Sequence, residues 1–155
     1  MRDEIQSIRM LLGFFAGFVA VLLFQQPVLA LLHGLHFTPQ APYSTVMTLP
    51  LGVPYVWARA FWGGVFGVIL AGVDDRFPAG AGFWKWAAIF GALAPTALEW
   101  ILTLALRHEP LGGIWSVGTI VSPFLFNAPW GVGTEAILSV MSVLWRMDID
   151  VMDRP

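Results

Sequence analysis

A chain of 155 residues that is 57% hydrophobic and only 12% charged, with a mean hydropathy of +0.74, carries more apolar surface than one small water-soluble core can hide, which points to an integral membrane protein. The formal net charge of −2 lacks the basic excess that a nucleic-acid partner requires. The absence of cysteine excludes disulfides, thiolate metal sites, iron–sulfur clusters and thiol catalysis.

A bilayer core about 30 Å thick needs about 20 mostly apolar residues per helix. The first stretch to meet that need is 10–33, preceded by Arg2 and Arg9. Read instead as a secretory signal, it would offer Val28 and Ala30 to a cleavage site. Asp3 and Glu4 in the leading segment and the length of the apolar run argue against that reading. The connection 34–54 holds Pro39, Pro42, Pro50 and Pro54 together with Phe37 and Tyr43. A second span is predicted over 55–73, followed by Asp74, Asp75 and Arg76 as a solvated turn, and a third over 83–106. The connection 109–128 is as long and as apolar as the first, with Pro110, Trp115, Pro123 and Phe126. The fourth span, 129–145, is the shortest, and its start is open to an earlier position inside that segment. Within the two connections, 44–49 and 116–121 read as short interfacial helices capping the bundle or as re-entrant pieces; their shortness and proline content favour the interfacial form.

The expected architecture is therefore all-α: a single domain over 1–155 in which four transmembrane helices form an up-down bundle. Arg2, Arg9, Arg76, Lys85, Arg146 and Arg154 fall on one side of the predicted spans, and Arg59 and Arg107 on the other. By the positive-inside rule both termini are cytoplasmic, in a bacterial inner membrane or another membrane that faces the cytoplasm. The halves also echo one another. Gly17 and Gln25 align with Gly91 and Glu99, His33 with His108, Pro54 and Tyr55 with Pro129 and Trp130, and Arg59 and Gly63 with Glu135 and Ser139, as in two tandem helical hairpins.

The informative residues are hydrophilic ones placed where lipid should be: Gln25, Arg59, Glu99 and Glu135, one in each span. Counting about 1.5 Å per residue from the predicted outer helix ends puts each roughly 6 to 12 Å below the outer surface. A charge at mid-bilayer costs about 2.5 to 3.5 kcal/mol even on the lenient insertion scale, so these groups are expected to face protein or water, with Arg59 paired to Glu99, Glu135 or both. Small residues at helical spacing share their stripes: Gly13 and Gly17 below Gln25, Gly63 and Gly67 below Arg59, Gly91 below Glu99, and Ser139 below Glu135.

Hydrolase, zinc-protease, phosphate-loop and dinucleotide signatures are missing, so no enzymatic role and no cofactor are expected. The primary expectation is a non-catalytic membrane module, a structural or accessory subunit that associates with other membrane proteins or with itself through lipid-facing glycine surfaces. A small ion- or proton-coupled transporter built on Glu99, Glu135 and Arg59 is the alternative, because two carboxylates oppose one guanidinium. A haem or metal role for His33 and His108, with His36 near, is more remote, since their spacing forms no ligand motif.

Overall fold

The computed structural model describes residues 2–48, 52–107 and 116–152, with side chains described over 6–48, 52–101 and 116–145. Among the described residues the regular structure is helical apart from one small hairpin. Its first helical rod consists of α1 (Arg2–Ala20), a π-helical turn (Val21–Gln25) and α2 (Gln26–Gly34). The change of register has a local cause. Pro27 has no N–H to give the Leu23 carbonyl, and the Gln26 N–H donates to Val21, five residues back. The Leu22 carbonyl, released by that shift, accepts the Tyr43 hydroxyl at 2.8 Å. The inserted residue also turns both Gln25 and Gln26 inward, where they are 5% and 2% exposed.

Residues 35–46 form no helix, and they lead into β1 (Met47–Thr48), which pairs antiparallel with β2 (Val53–Pro54). The expectation of an interfacial or re-entrant helix over 44–49 is thus corrected for 44–48; 49 lies outside the described residues. Prolines on both sides of the segment deny it helical donors. The loop instead folds back on the bundle, with the Tyr43 N–H donating to Gln26 Oε1 at 2.6 Å and the Ser122 hydroxyl donating to Thr38 Oγ1 at 3.4 Å.

The second rod is α3 (Tyr55–Val73), ended by a 3-10 turn at Asp74–Arg76. The next two helices are α4 (Ala81–Arg107) and α5 (Val117–Met152). The start of α5 corrects the expected fourth span, which opened at Pro129, 12 residues later (129 − 117). Ser116 marks the true beginning: its hydroxyl accepts the Thr119 N–H at 3.1 Å, as an N-cap does. Pro123 and Pro129 read as helix breakers in the sequence, yet the helix runs through both. Phe126 and Asn127 between them and Trp130 just after are buried, and that packing holds the segment helical despite the lost backbone bonds. The residues 116–121 are therefore the entry into α5 and not a separate capping helix.

Glycine seams join the helices into two antiparallel hairpins. Along the first, a Cβ added at Gly17 would lie 2.2 Å from the Gly63 carbonyl oxygen, and one at Gly67 would lie 2.2 Å from that of Gly13. Along the second, a Cβ at Gly91 would meet the Asn127 oxygen at 2.5 Å, and one at Gly131 the Ala87 oxygen at 2.2 Å. Backbones this close admit only hydrogen at those positions. These glycines therefore pack helices within the chain, which leaves them unavailable as lipid-facing contact surfaces. The partner of Gly91 is Gly131, whereas Ser139 is exposed. The hairpins meet where the Trp130 Nε1–H donates to the Gly17 carbonyl at 2.9 Å, with Phe66 edge-on to the Trp130 ring.

By length and composition, two stretches, Gln6–Gly34 and Tyr55–Arg76, are apolar enough to cross a membrane. Among the described residues α4, with Lys85 and Glu99, and α5, with Asn127 and Glu135, do not meet the same measure.

Candidate functional site

A cavity of about 380 Å³ opens between α3 and α4 and reaches the π-turn and α5 behind them. Its walls are mostly apolar, with Val21, Trp62, Phe66, Leu98 and Trp130 prominent. Its polar lining comes from different elements: Gln25 from the π-turn, Tyr55 and Arg59 from α3, Glu99 from α4 and Asn127 from α5.

Arg59 sits on α3 one turn after Tyr55, and its side chain is only 10% exposed. Nη2 donates to the Tyr55 hydroxyl at 2.9 Å and to Gln40 Oε1 at 3.0 Å. The same nitrogen lies 3.7 Å from Glu99 Oε1, an ion pair between the two hairpins. Gln40 bridges the pair by donating Nε2 to Glu99 Oε1 at 3.5 Å. The guanidinium lies near two aromatic rings, 4.9 Å from the Tyr55 centroid and 5.0 Å from that of Phe126, where ring quadrupoles favour a cation. The charge is thus balanced by one carboxylate and held by four neighbours, Tyr55, Gln40, Glu99 and Phe126. Nη1 nevertheless has no hydrogen-bond partner among the described residues, and it is fully buried.

Beside it runs a chain of neutral groups. Gln25 Nε2 donates to Asn127 Oδ1, and Asn127 Nδ2 donates to Thr96 Oγ1 at 3.0 Å, linking the π-turn, α5 and α4. Gln25 Oε1 is left buried without a partner among the described residues. Arg59 and Gln25, which both line the cavity, thus each carry one buried polar atom without a partner among the described residues.

Glu135 does not join this group. Its expected depth depended on a helix starting at Pro129; with α5 starting at Val117, Glu135 lies 18 residues (135 − 117), about 27 Å, along the helix. It faces Asp74 and Arg9 at the other end of the bundle and is 1% exposed, with Oε1 unpartnered among the described residues. This corrects the single shared depth expected of the four polar residues. It also corrects the solvated turn at Asp74, which is 5% exposed and accepts from Arg9 Nη2 on both carboxylate oxygens. Arg9 Nε donates at 3.1 Å to the Ala71 carbonyl, so a cation caps the negative end of α3 while tying α1 to it.

The sequence reading brought forward Gln25, Arg59 and Glu99, which line the cavity, and missed Gln40, Asn127, Thr96 and Tyr55. His33 is exposed and its Nδ1 donates to the Thr38 carbonyl at 3.2 Å; His108 lies outside the described residues. Among the described residues no group of three or more histidine or acidic side chains is arranged to hold a metal ion. No family model, no curated protein and no solved structure matches the chain.

Proposed function

We propose that the chain is a four-span integral membrane protein without catalytic activity, its termini cytoplasmic, that holds a small amphiphilic molecule in the cavity between α3 and α4. Support for the membrane setting comes from the distribution of side chains. Leu11, Leu23, Leu93, Ile101, Val140 and Leu144 are exposed, while Gln25, Gln26, Thr96, Asn127, Thr134 and Glu135 are buried. An apolar exterior around a polar interior is costly in water and favourable in lipid. The lower hydropathy of α4 and α5 fits this setting, because Thr96, Asn127, Thr134 and Glu135 are buried within the bundle and Asn127 is bonded to Thr96.

The observation that carries the binding reading is the cavity itself, about 380 Å³ and mostly apolar, with Gln25, Tyr55, Arg59, Glu99 and Asn127 bringing polar groups to its lining from the π-turn, α3, α4 and α5. A largely apolar cavity with a few convergent polar groups is the usual form of a small-molecule site, the apolar walls holding the body of the ligand and the polar groups its head. Self-association through the glycine faces loses its support, since the seams are already filled within the chain.

Native mass spectrometry of protein extracted in mild detergent tests the reading. The wild type should carry one additional bound molecule per chain. Ala58→Trp, which fills the cavity from α3, should lose it while remaining folded. Equal bound mass on both proteins, or none on either, contradicts the proposal.

A further inference from the structure

At the end of the bundle away from the cavity, two acids from different hairpins meet one base. We infer that Asp74 and Glu135 share a single bound proton beside Arg9, and that this proton fastens the hairpin of α1 and α3 to α5.

Three elements build the place. Arg9 comes from α1, Asp74 from the turn that ends α3, and Glu135 from α5. Leu138, about one turn beyond Glu135, packs with Ala16 of α1 and Ala71 of α3 in an apolar cluster, so the same three helices close around the acids. Glu135 is 1% exposed and Asp74 5%. Charges on either carboxyl therefore have to be met by protein groups or by a bound ion.

Counting charges leaves one acid unmatched. Arg9 Nη2 donates to both oxygens of Asp74, and Arg9 Nε donates to the Ala71 carbonyl, so the guanidinium is committed to the first hairpin. The other charged side chains described at this end, Asp75 and Arg76 in the turn and Lys85 near the start of α4, are exposed. Glu135 Oε1 has no partner among the described residues, while the same carboxyl is in side-chain hydrogen-bond contact with Asp74. Ionised carboxylates only accept, so a hydrogen bond between two of them exists only if one carries a proton. That proton also removes the second negative charge and leaves one carboxylate for one guanidinium.

A metal ion fits the same place less well. Hard cations take about six oxygen ligands, whereas two acidic side chains converge here and no group of three is found among the described residues. A proton needs only the two oxygens that it joins.

Release of the proton sets two negative carboxylates against each other in a dry interior, where like charges repel strongly, and the contact between the hairpins is lost. In the unfolded chain an exposed Asp or Glu is ionised near neutral pH and holds no such proton. The native state thus binds one proton more than the unfolded state, so stability falls as the pH rises.

Infrared spectroscopy of the protein in nanodiscs reads the proton directly, through the C=O stretch of a neutral carboxylic acid, which carboxylates lack. Near neutral pH the wild type should show an acid band, sensitive to exchange into heavy water, that Glu135→Gln removes. The glutamine supplies an amide N–H in place of the proton, so the variant keeps its contact with Asp74. Asp74→Asn should shift or remove the same band, because the far side of the proton is no longer a carboxylate. In mixed micelles, the unfolding equilibrium constant of the wild type should rise relative to that of Glu135→Gln by up to about tenfold per pH unit above about pH 6, until the native proton is lost. An identical acid spectrum in wild type and Glu135→Gln overturns the proton site. A band unchanged by Asp74→Asn overturns the sharing, and this variant decides the matter alone if Glu135→Gln does not fold. Equal pH slopes in wild type and Glu135→Gln overturn the proton's role in fastening the hairpins.

Discussion

Replacing Gly17 by Ala probes the seam on which the first hairpin is built. The new Cβ would lie 2.2 Å from the Gly63 carbonyl oxygen and 3.0 Å from the Gly67 Cα, both backbone atoms that no rotamer change can move. An ordinary carbon–oxygen contact is about 1 Å longer, so α1 and α3 must separate by that amount locally, and such a gap forfeits a quarter to a half of each contact's dispersion energy. Overpacking of this kind costs about 1 to 3 kcal/mol. Against it stands the gain from replacing glycine by alanine within a helix, about 1 kcal/mol. The net expectation is a loss of up to about 2 kcal/mol. Gly72→Ala is the control, since Gly72 lies on the same hairpin and a Cβ there meets nothing within 4 Å. It should be neutral or stabilising by up to about 1 kcal/mol, the propensity gain alone. Reversible unfolding in mixed micelles, followed by far-ultraviolet circular dichroism, reads both. If Gly17→Ala moves the midpoint in the same direction as Gly72→Ala, the two helices do not touch at this seam and the packing argument is wrong.

Trp130→Phe removes the bond from Nε1 to the Gly17 carbonyl and part of a fully buried ring, and should lower unfolding free energy by about 1 to 3 kcal/mol in the same assay. Arg9→Met leaves the buried Asp74 carboxylate without its counter-charge and, with Arg9 itself 42% exposed and partly screened, should cost about 1 to 3 kcal/mol, whereas Arg9→Met combined with Asp74→Leu should recover most of that loss; an additive double variant would mean the pair is not coupled. Tyr43→Phe frees the Leu22 carbonyl at the π-turn and should raise amide exchange over residues 35–46 without a change in α3, as measured by hydrogen–deuterium exchange mass spectrometry.

What could be read from the sequence depended on where helix ends were clear. Arg59 was placed correctly relative to Glu99 because Pro54 fixes the start of α3 and a lone arginine in an apolar run has to find a partner. Glu135 was misplaced because Pro123 and Pro129 imitate a loop, and a helix start shifted by 12 residues moves a side chain about 18 Å along the axis. Asn127 was lost for the same reason: inside a supposed connection a buried amide has no meaning, while inside a helix it is conspicuous. Gln26 follows Gln25 and would lie about 100° away from it on a regular helix, so only the π-turn lets both point inward. Gln40 belongs to an aperiodic loop, where no pattern of spacing reports direction. Arg9 and Asp74 lie near helix ends, where charges commonly meet water, and what joins them is a tertiary contact between α1 and the turn after α3 that neither residue's neighbours in sequence encode.

The glycine stripes were legible as packing faces, but sequence periodicity does not say which helix lies against which stripe. Gly13 and Gly17 against Gly63 and Gly67, and Gly91 against Gly131, are the answers that coordinates add, and they turn the supposed docking surfaces into internal seams.

The central claim is that the chain crosses the bilayer four times, with the Arg59 and Glu99 cavity toward the outer side, and labelling of single cysteines tests it most directly. The chain has no cysteine of its own, so background labelling is absent. Gln6, Thr45, Asp75 and Ser116 are all exposed and lie at successive ends of the helices. With a membrane-impermeant maleimide on intact cells, Thr45→Cys and Ser116→Cys should label, while Gln6→Cys and Asp75→Cys should label only after permeabilisation. Labelling of Asp75→Cys from outside, or of Ser116→Cys from the same side as Gln6→Cys, would contradict the four-span arrangement.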